Sequence, residues 1–232
     1  MLRTQRVLSY LLASLIVVFL ASPAFGASKA DDEETIRNAT TILQAMVASK
    51  DIPPSVLAKA ECIIILPSVK KFAVGIGGTG GRGPMTCREG KDFSGGKWSP
   101  PAMFSIGGAS AGFQVGGKAT DIVIAIMAAS AAERVLTSKV KVGTDVSAAA
   151  GPGASAGSFG TSADMLTYSR SSGLFAGASI DGASLNPDSS ANERLYGKTV
   201  SAKEIVSGGV TATPAGQQLV SLLNSKLAAH GR

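Results

Sequence analysis

This sequence predicts an α+β fold, an antiparallel barrel-like or sandwich sheet flanked by N- and C-terminal helices. Three observations support that class. Apolar residues recur at helical spacing near both ends of the chain. Between them lie short apolar runs bounded by Gly, Pro and polar turns, the pattern of strands. And 28 glycines against only 5% aromatics in 232 residues favour tight turns and close backbone approach over a thick aromatic core. The length suits one domain with its own core.

The first element is a leader. Arg3 and Arg6 precede the apolar run Leu11–Leu20, then come Pro23 and the small-residue pattern Ala24-Phe25-Gly26. That order is expected of a secretory signal peptide over residues 1–26, leaving residues 27–232 as a single exported domain, periplasmic or secreted. Asp31-Asp32-Glu33-Glu34 places acids where they complement a helix dipole. Ile36, Ala39, Leu43, Met46 and Val47 then form one apolar stripe, predicting a helix from about Thr35 to Lys50. Pro53-Pro54 stops it and opens a short helix through Ala60.

From Cys62 the texture turns to strands. Ile63–Leu66 reads as a buried strand ended by Pro67, Phe72–Ile76 as a second and Pro84–Arg88 as a third. Glu89–Asp92 is a turn. Ala102–Val115 is a long Gly/Ala-rich segment, Asp121–Met127 a strand, Ser130–Leu136 helical, and Val140–Ala149 alternates. Leu174–Ala183 is the last strand. Thr213-Pro214 starts a final helix whose apolar face is Leu219, Leu222, Leu223 and Leu227.

Charge excludes little but directs attention. The net +6 falls to about +4 once Arg3 and Arg6 are removed, a weak pull on anions. No stretch interleaves basic residues with aromatics, so nucleic acid is not an expected partner. Gly75-Ile76-Gly77-Gly78-Thr79-Gly80 fits the dinucleotide pattern, yet Gly81-Arg82-Gly83-Pro84 follows where a helix is required. Gly108–Gly112 and Gly153–Gly157 both spell G-x-S-x-G, with Ser110 and Ser155 as nominal nucleophiles. Their one available histidine is His230, three residues from the end. Metal spacing is lacking, and no catalytic set or cofactor is expected. Cys62 and Cys87 form an even pair; an oxidising compartment permits a disulfide, and two buried thiols are the alternative.

A set of ordered motifs adds a further reading. They run from Ile52-Pro53, Val56-Leu57 and Ile65-Leu66 through Val69-Lys70, Gly80-Gly81-Arg82-Gly83 and Trp98-Ser99-Pro100-Pro101. Gly112-Phe113-Gln114-Val115-Gly116, Thr120-Asp121, Ala150-Gly151-Pro152, Tyr168–Gly177, Asn192 and Tyr196-Gly197 continue the series. In this the chain resembles the SYLF domain family, in its exported bacterial branch, over roughly Ala30 to Ala229. The resemblance implies a non-enzymatic module that binds phosphoinositides or other anionic lipid headgroups through an N-terminal amphipathic helix and nearby basic residues. Fungal members also bind actin, so a protein partner is the alternative. The helix here carries only Arg37 and Lys50 as bases and is preceded by four acids, so its stripe is expected to dock on the sheet rather than enter a membrane. The candidate headgroup residues are Arg37, Lys50, Lys70, Lys71, Arg82 and Arg88. The last four are expected to share one strand face.

Overall fold

A computed structural model describes residues 26–74, 76–111, 118–151, 163–171, 174–176, 180 and 182–226. The leader, the second G-x-S-x-G pattern, His230 and the Leu227 end of the final helix lie outside them. Helix α1 spans Lys29–Ala48, starting ahead of the apolar stripe that announces it. The cause is a capping box. Ser28 Oγ accepts from the Asp31 backbone N–H, and an Asp31 carboxylate oxygen accepts from the Ser28 N–H at 2.7 Å. Those Ser28 bonds, backbone first, hold the Asp31 carboxyl below its ordinary range. Helix α2 is Pro54–Lys59, opened by proline in its first turn.

Strands β1 (Cys62–Val74) and β2 (Ile76–Cys87) form a long antiparallel hairpin. The two strands expected either side of Pro67 are therefore one. Proline has no N–H to give a ladder, and the strand absorbs it with a bulge rather than ending. Leu66 pairs with Ile122 and Val69 with Thr120, so one extra residue sits on β1. Ser68 takes the left-handed conformation there (φ 49°), and its N–H donates to an Asp121 carboxylate oxygen at 2.9 Å. The bulge breaks the two-residue alternation, so Leu66 and Val69 face the same core. It also needs Gly83 opposite, since a Cβ there would lie 1.9 Å from the Ile65 carbonyl oxygen.

Strands β3 (Ala102–Ala111), β4 (Lys118–Ile126), β5 (Val140–Lys141), β6 (Ala148–Ala150), β7 (Met165–Ser171), β8 (Leu174–Ala176) and β9 (Ser184–Pro187) complete the sheet. Its order is β5-β9-β3-β2-β1-β4-β7-β6, with β8 on β7, curled like part of a barrel. Every pairing is antiparallel except β6–β7, which is parallel. That corrects the all-antiparallel expectation. The long connection between these two strands lets the chain return and run in the same direction, which a tight hairpin cannot do.

Both faces of the central strands are buried. Cys62, Ile64 and Leu66 of β1, with Ile122, Ile124 and Ile126 of β4, join one core. Helix α3 (Ala129–Thr137), the single turn α5 (Ala202–Glu204) and the wide turn Ile205–Gly209 cover it. Ile63, Ile65, Val123 and Ala125 point into a second core. Covering this one are α1, α2, α4 (Ser189–Tyr196) and α6 (Pro214–Lys226). Double burial explains why these strands read as unbroken apolar runs. Ile36, Ala39, Leu43 and Met46 of α1 are fully buried against the sheet, as the sparse charge of that helix led us to expect.

Several of the recurring motif residues turn out to close the fold. The buried Asn192 side chain pairs with Met103 like a strand, accepting from its N–H at 2.7 Å and donating to its carbonyl at 3.3 Å. Tyr196 donates its hydroxyl to the Pro101 carbonyl at 2.5 Å. Gly151 lies against the Tyr168 ring, where a Cβ would come within 2.1 Å of it. Burial holds both tyrosine hydroxyls far above their ordinary range, with Glu33 adding to the effect at Tyr196.

Cys62 and Cys87, register partners on β1 and β2, are joined as a disulfide. Closing a loop of this length restricts the unfolded chain by about 3 kcal/mol. Replacing both cysteines by Ser is thus expected to cost about that much, read as a lower urea midpoint with a slope that rises because the uncrosslinked chain exposes more surface. Gly151→Ala is expected to cost about 1–3 kcal/mol in the same assay, because a ring in a packed core has little room to yield.

Candidate functional site

The six basic residues singled out from the sequence do not form one patch. Arg88 is buried, and its guanidinium donates to the Ala60, Leu57 and Ala58 carbonyls at 3.1, 3.3 and 3.2 Å. The group also lies 4.6 Å from the centre of the buried Trp98 ring. It holds the end of α2 to the sheet and presents nothing to a ligand in solution. Its expected place on a shared strand face is corrected accordingly.

Arg82 is committed too. Its guanidinium meets the Asp32 carboxylate at 2.8 Å, and Arg194 of α4 binds the same carboxylate at 2.9 and 3.2 Å. Asp32 is fully buried, whereas each arginine side chain keeps about 30% exposure. This carboxylate thus pins α1 to β2 and to α4 at once. Next to it, Glu33 accepts from the Ala215 N–H at 3.0 Å, placing an acid on the first turn of α6. Asp32 and Glu33 read from the sequence as helix-dipole partners; only their long-range contacts reveal a further structural role. With Asp31, Asp32 and Asp188 beside Arg82 and Arg194, and Glu33 beside Arg37, the cluster has no surplus of positive charge.

Arg37 is half exposed on α1, 3.8 Å from Glu33, and lines an open polar groove between α1 and α6 with Thr41, Gln44 and Gln217. Lys50 is exposed just past the end of α1, in a left-handed conformation at φ 58°.

What the fold does bring together is a row of lysines. Lys70 is exposed on β1 beyond the bulge. Lys71 follows it and is the register partner of Lys118 on β4, while Lys70 pairs with Ala119. Lys71 and Lys118 are therefore cross-strand neighbours at the end of the sheet remote from the disulfide, and Lys70, one residue along β1, belongs to the opposite face. The expected single strand face is corrected to a strand end that carries lysines on both faces. Lys118 lies 47 residues along the chain from Lys71, so only strand pairing exposes its membership.

The motifs of catalytic appearance fall into strands. Residues 76–80 of the dinucleotide-like pattern lie within β2, and Gly81, which follows them, packs against Val69. Gly108–Ala111 lies within β3, not at a strand-to-helix elbow. Among the described residues no group of three or more His, Cys, Asp or Glu gathers to hold a metal. No helix among them is long and apolar enough to cross a membrane.

Residues 107–226 match the family described as Ysc84, Las17-binding protein actin regulator. The chain belongs to the Ysc84, or SYLF, family. It is 36% identical over 191 residues to an SH3 domain-containing protein of Schizosaccharomyces pombe, covering 79% of this chain and 43% of the relative. To Protein YSC84 of Saccharomyces cerevisiae it is 36% identical over 192 residues, covering 79% of this chain and 40% of that protein. To SH3 domain-containing YSC84-like protein 1 of Xenopus laevis it is 32% identical over 199 residues, 82% of this chain and 57% of that one. It thus spans about half the length of these relatives.

Within this family member, Asp32→Asn leaves Arg82 and Arg194 without their shared anion. We expect a loss of about 3 kcal/mol, the low end for a broken buried pair because both guanidiniums still reach water. Chemical denaturation measures it, and Glu34→Gln, exposed in the same turn, is the matched control.

Proposed function

We propose that this chain is a non-enzymatic SYLF module that binds anionic phospholipid headgroups at a membrane surface through Lys70, Lys71 and Lys118. The single observation that supports this is the lysine end of the sheet: Lys71 and Lys118 are register partners, and the adjacent Lys70, on the other face of β1, is open to solvent, so a membrane meeting this end of the strands reaches all three. Arg82 and Arg88 drop out of the proposed surface because their guanidiniums already have protein partners. Arg37, paired with Glu33 on α1, and Lys50, past the end of that helix, are assigned no part in it. The binding is electrostatic and superficial, since the apolar stripe of α1 is already used by the core.

The leader pattern over residues 1–26 and the Cys62–Cys87 disulfide support an exported site of action, periplasmic or secreted. A second reading is a protein-interaction module. It is favoured by the relatives, whose printed names include Las17-binding and SH3 domain-containing proteins.

At about 1 kcal/mol per lysine near an anionic surface, three lysines supply about 3 kcal/mol, roughly a hundredfold in affinity. Co-sedimentation should show binding to vesicles containing phosphatidylserine or phosphatidylinositol phosphate, falling with salt, and none to phosphatidylcholine. Lys70→Glu with Lys71→Glu and Lys118→Glu should abolish it. Unaltered binding by the triple variant sinks the assignment, and no vesicle binding by the parent protein turns the case to a protein partner.

A further inference from the structure

The opposite end of the sheet carries a second feature. A cavity of ≈ 600 Å³ lies between the turn Gly90–Phe93, the first turn of α3 and the α5 region. Its polar lining is Lys91, Asp92, Ser130, Glu133, Lys203 and Ser207, and Phe93 supplies an apolar wall. Two positive and two negative side chains thus converge on one hollow. Lys203 and Glu133 are ion-paired to each other across it, joining α5 to α3. The Lys91, Asp92, Ser130 and Ser207 side chains make no hydrogen bond or ion pair among the described residues.

The wall of this cavity is built at a conformational cost. Asp92 and Phe93 are both left-handed, at φ 56° and 57°, directly after Gly90 at φ 97° and Lys91. Residues with a Cβ rarely adopt that region, and a bulky aromatic least of all. A turn that only connected β2 to Trp98 would be served by glycine at both positions. Here the chain keeps a carboxylate and a ring, and the backbone strain aims them at the hollow. Gly95 holds the turn shut, its N–H donating to the Glu89 carbonyl at 2.6 Å.

We propose that this cavity binds a small zwitterion, a molecule carrying a primary amine and an oxyanion a few bonds apart. The balance of charge selects that class. A simple anion is attracted by Lys91 and repelled by Asp92, and a simple cation meets the reverse. A ligand with both charges pairs with both, its oxyanion on Lys91 and the Ser130 hydroxyl, its ammonium on Asp92. Phe93 packs on the linker between them. The lysine row on β1 and β4 lies at the far end of β1 from Cys62, about 30 Å away at the rise of a strand. The two sites share no residue, and the size of the hollow suits a free small molecule, so the assignment does not rest on the proposed membrane surface.

Titration of the folded protein with phosphoethanolamine, followed by amide chemical shifts, tests the assignment. Saturable shifts at Lys91, Ser130, Lys203 and Ser207 are expected, with no saturation by inorganic phosphate or ethanolamine alone. Lys91→Gln and Asp92→Asn should each weaken binding by about tenfold or more, as the loss of a charged hydrogen bond does. Both residues are exposed, and an unchanged amide spectrum elsewhere shows that the fold is kept. Glycerophosphoethanolamine against diglycine then separates a lipid-derived zwitterion from a peptide-derived one. If no zwitterion saturates the site, if either half-ligand binds as well as the whole, or if neither variant weakens binding, the assignment is overturned.

Discussion

The Asp32 carboxylate is the constraint on which the rest of this structure leans. A carboxylate removed from water is costly unless fully paired, and two arginines from different elements supply the pairing. Because Arg82 comes from β2 and Arg194 from α4, α1 can lie in one place only. Glu33, one residue on, fixes α6 in turn through the Ala215 N–H. With these helices seated, Ile63 and Ile65 of β1 are buried on the face opposite Ile64 and Leu66. A sheet covered on both sides leaves function to its ends and loops.

That division bears on how the family resemblance carries over. Many of its most specific residues in this chain are structural. Asn192 extends a ladder, Gly151 clears a tyrosine ring, Gly83 accommodates the bulge, and Trp98 is buried beneath the Arg88 guanidinium. Such residues identify the fold and say little about its ligand. The ligand reading rests instead on charges that the fold gathers at two remote ends: the lysine row at one and the mixed-charge hollow at the other.

Much of the fold could be read from the residues, and the failures have physical causes. Long periodic stretches such as α1 and α6 and the apolar runs of β1 and β4 were clear because burial imposes their pattern. Pro67 misled, since a bulge absorbs a proline that would end a regular strand. β7 was missed because Met165–Ser171 mixes polar residues into a buried strand, where Thr167 and Ser169 are buried as well. Helix α4 carries little hydrophobicity and is set by its Asp188 cap and the Gly197 stop. For the site, charge alone could not separate Arg82 and Arg88, which have protein partners, from Lys70. Nor could it bring Lys118 beside Lys71, because that neighbourhood exists only through strand register.

The central claim is that α1 belongs to the scaffold and the lysine end of the sheet meets the membrane. Amide hydrogen exchange of the protein, free and bound to anionic vesicles, addresses it most directly. The account predicts that amides from Ile36 to Val47 stay equally protected in both states, while those around Lys70 and Lys118 gain protection on binding. Loss of protection along α1 on vesicles, with no change near Lys70 and Lys118, would contradict it and make the helix the membrane-binding element.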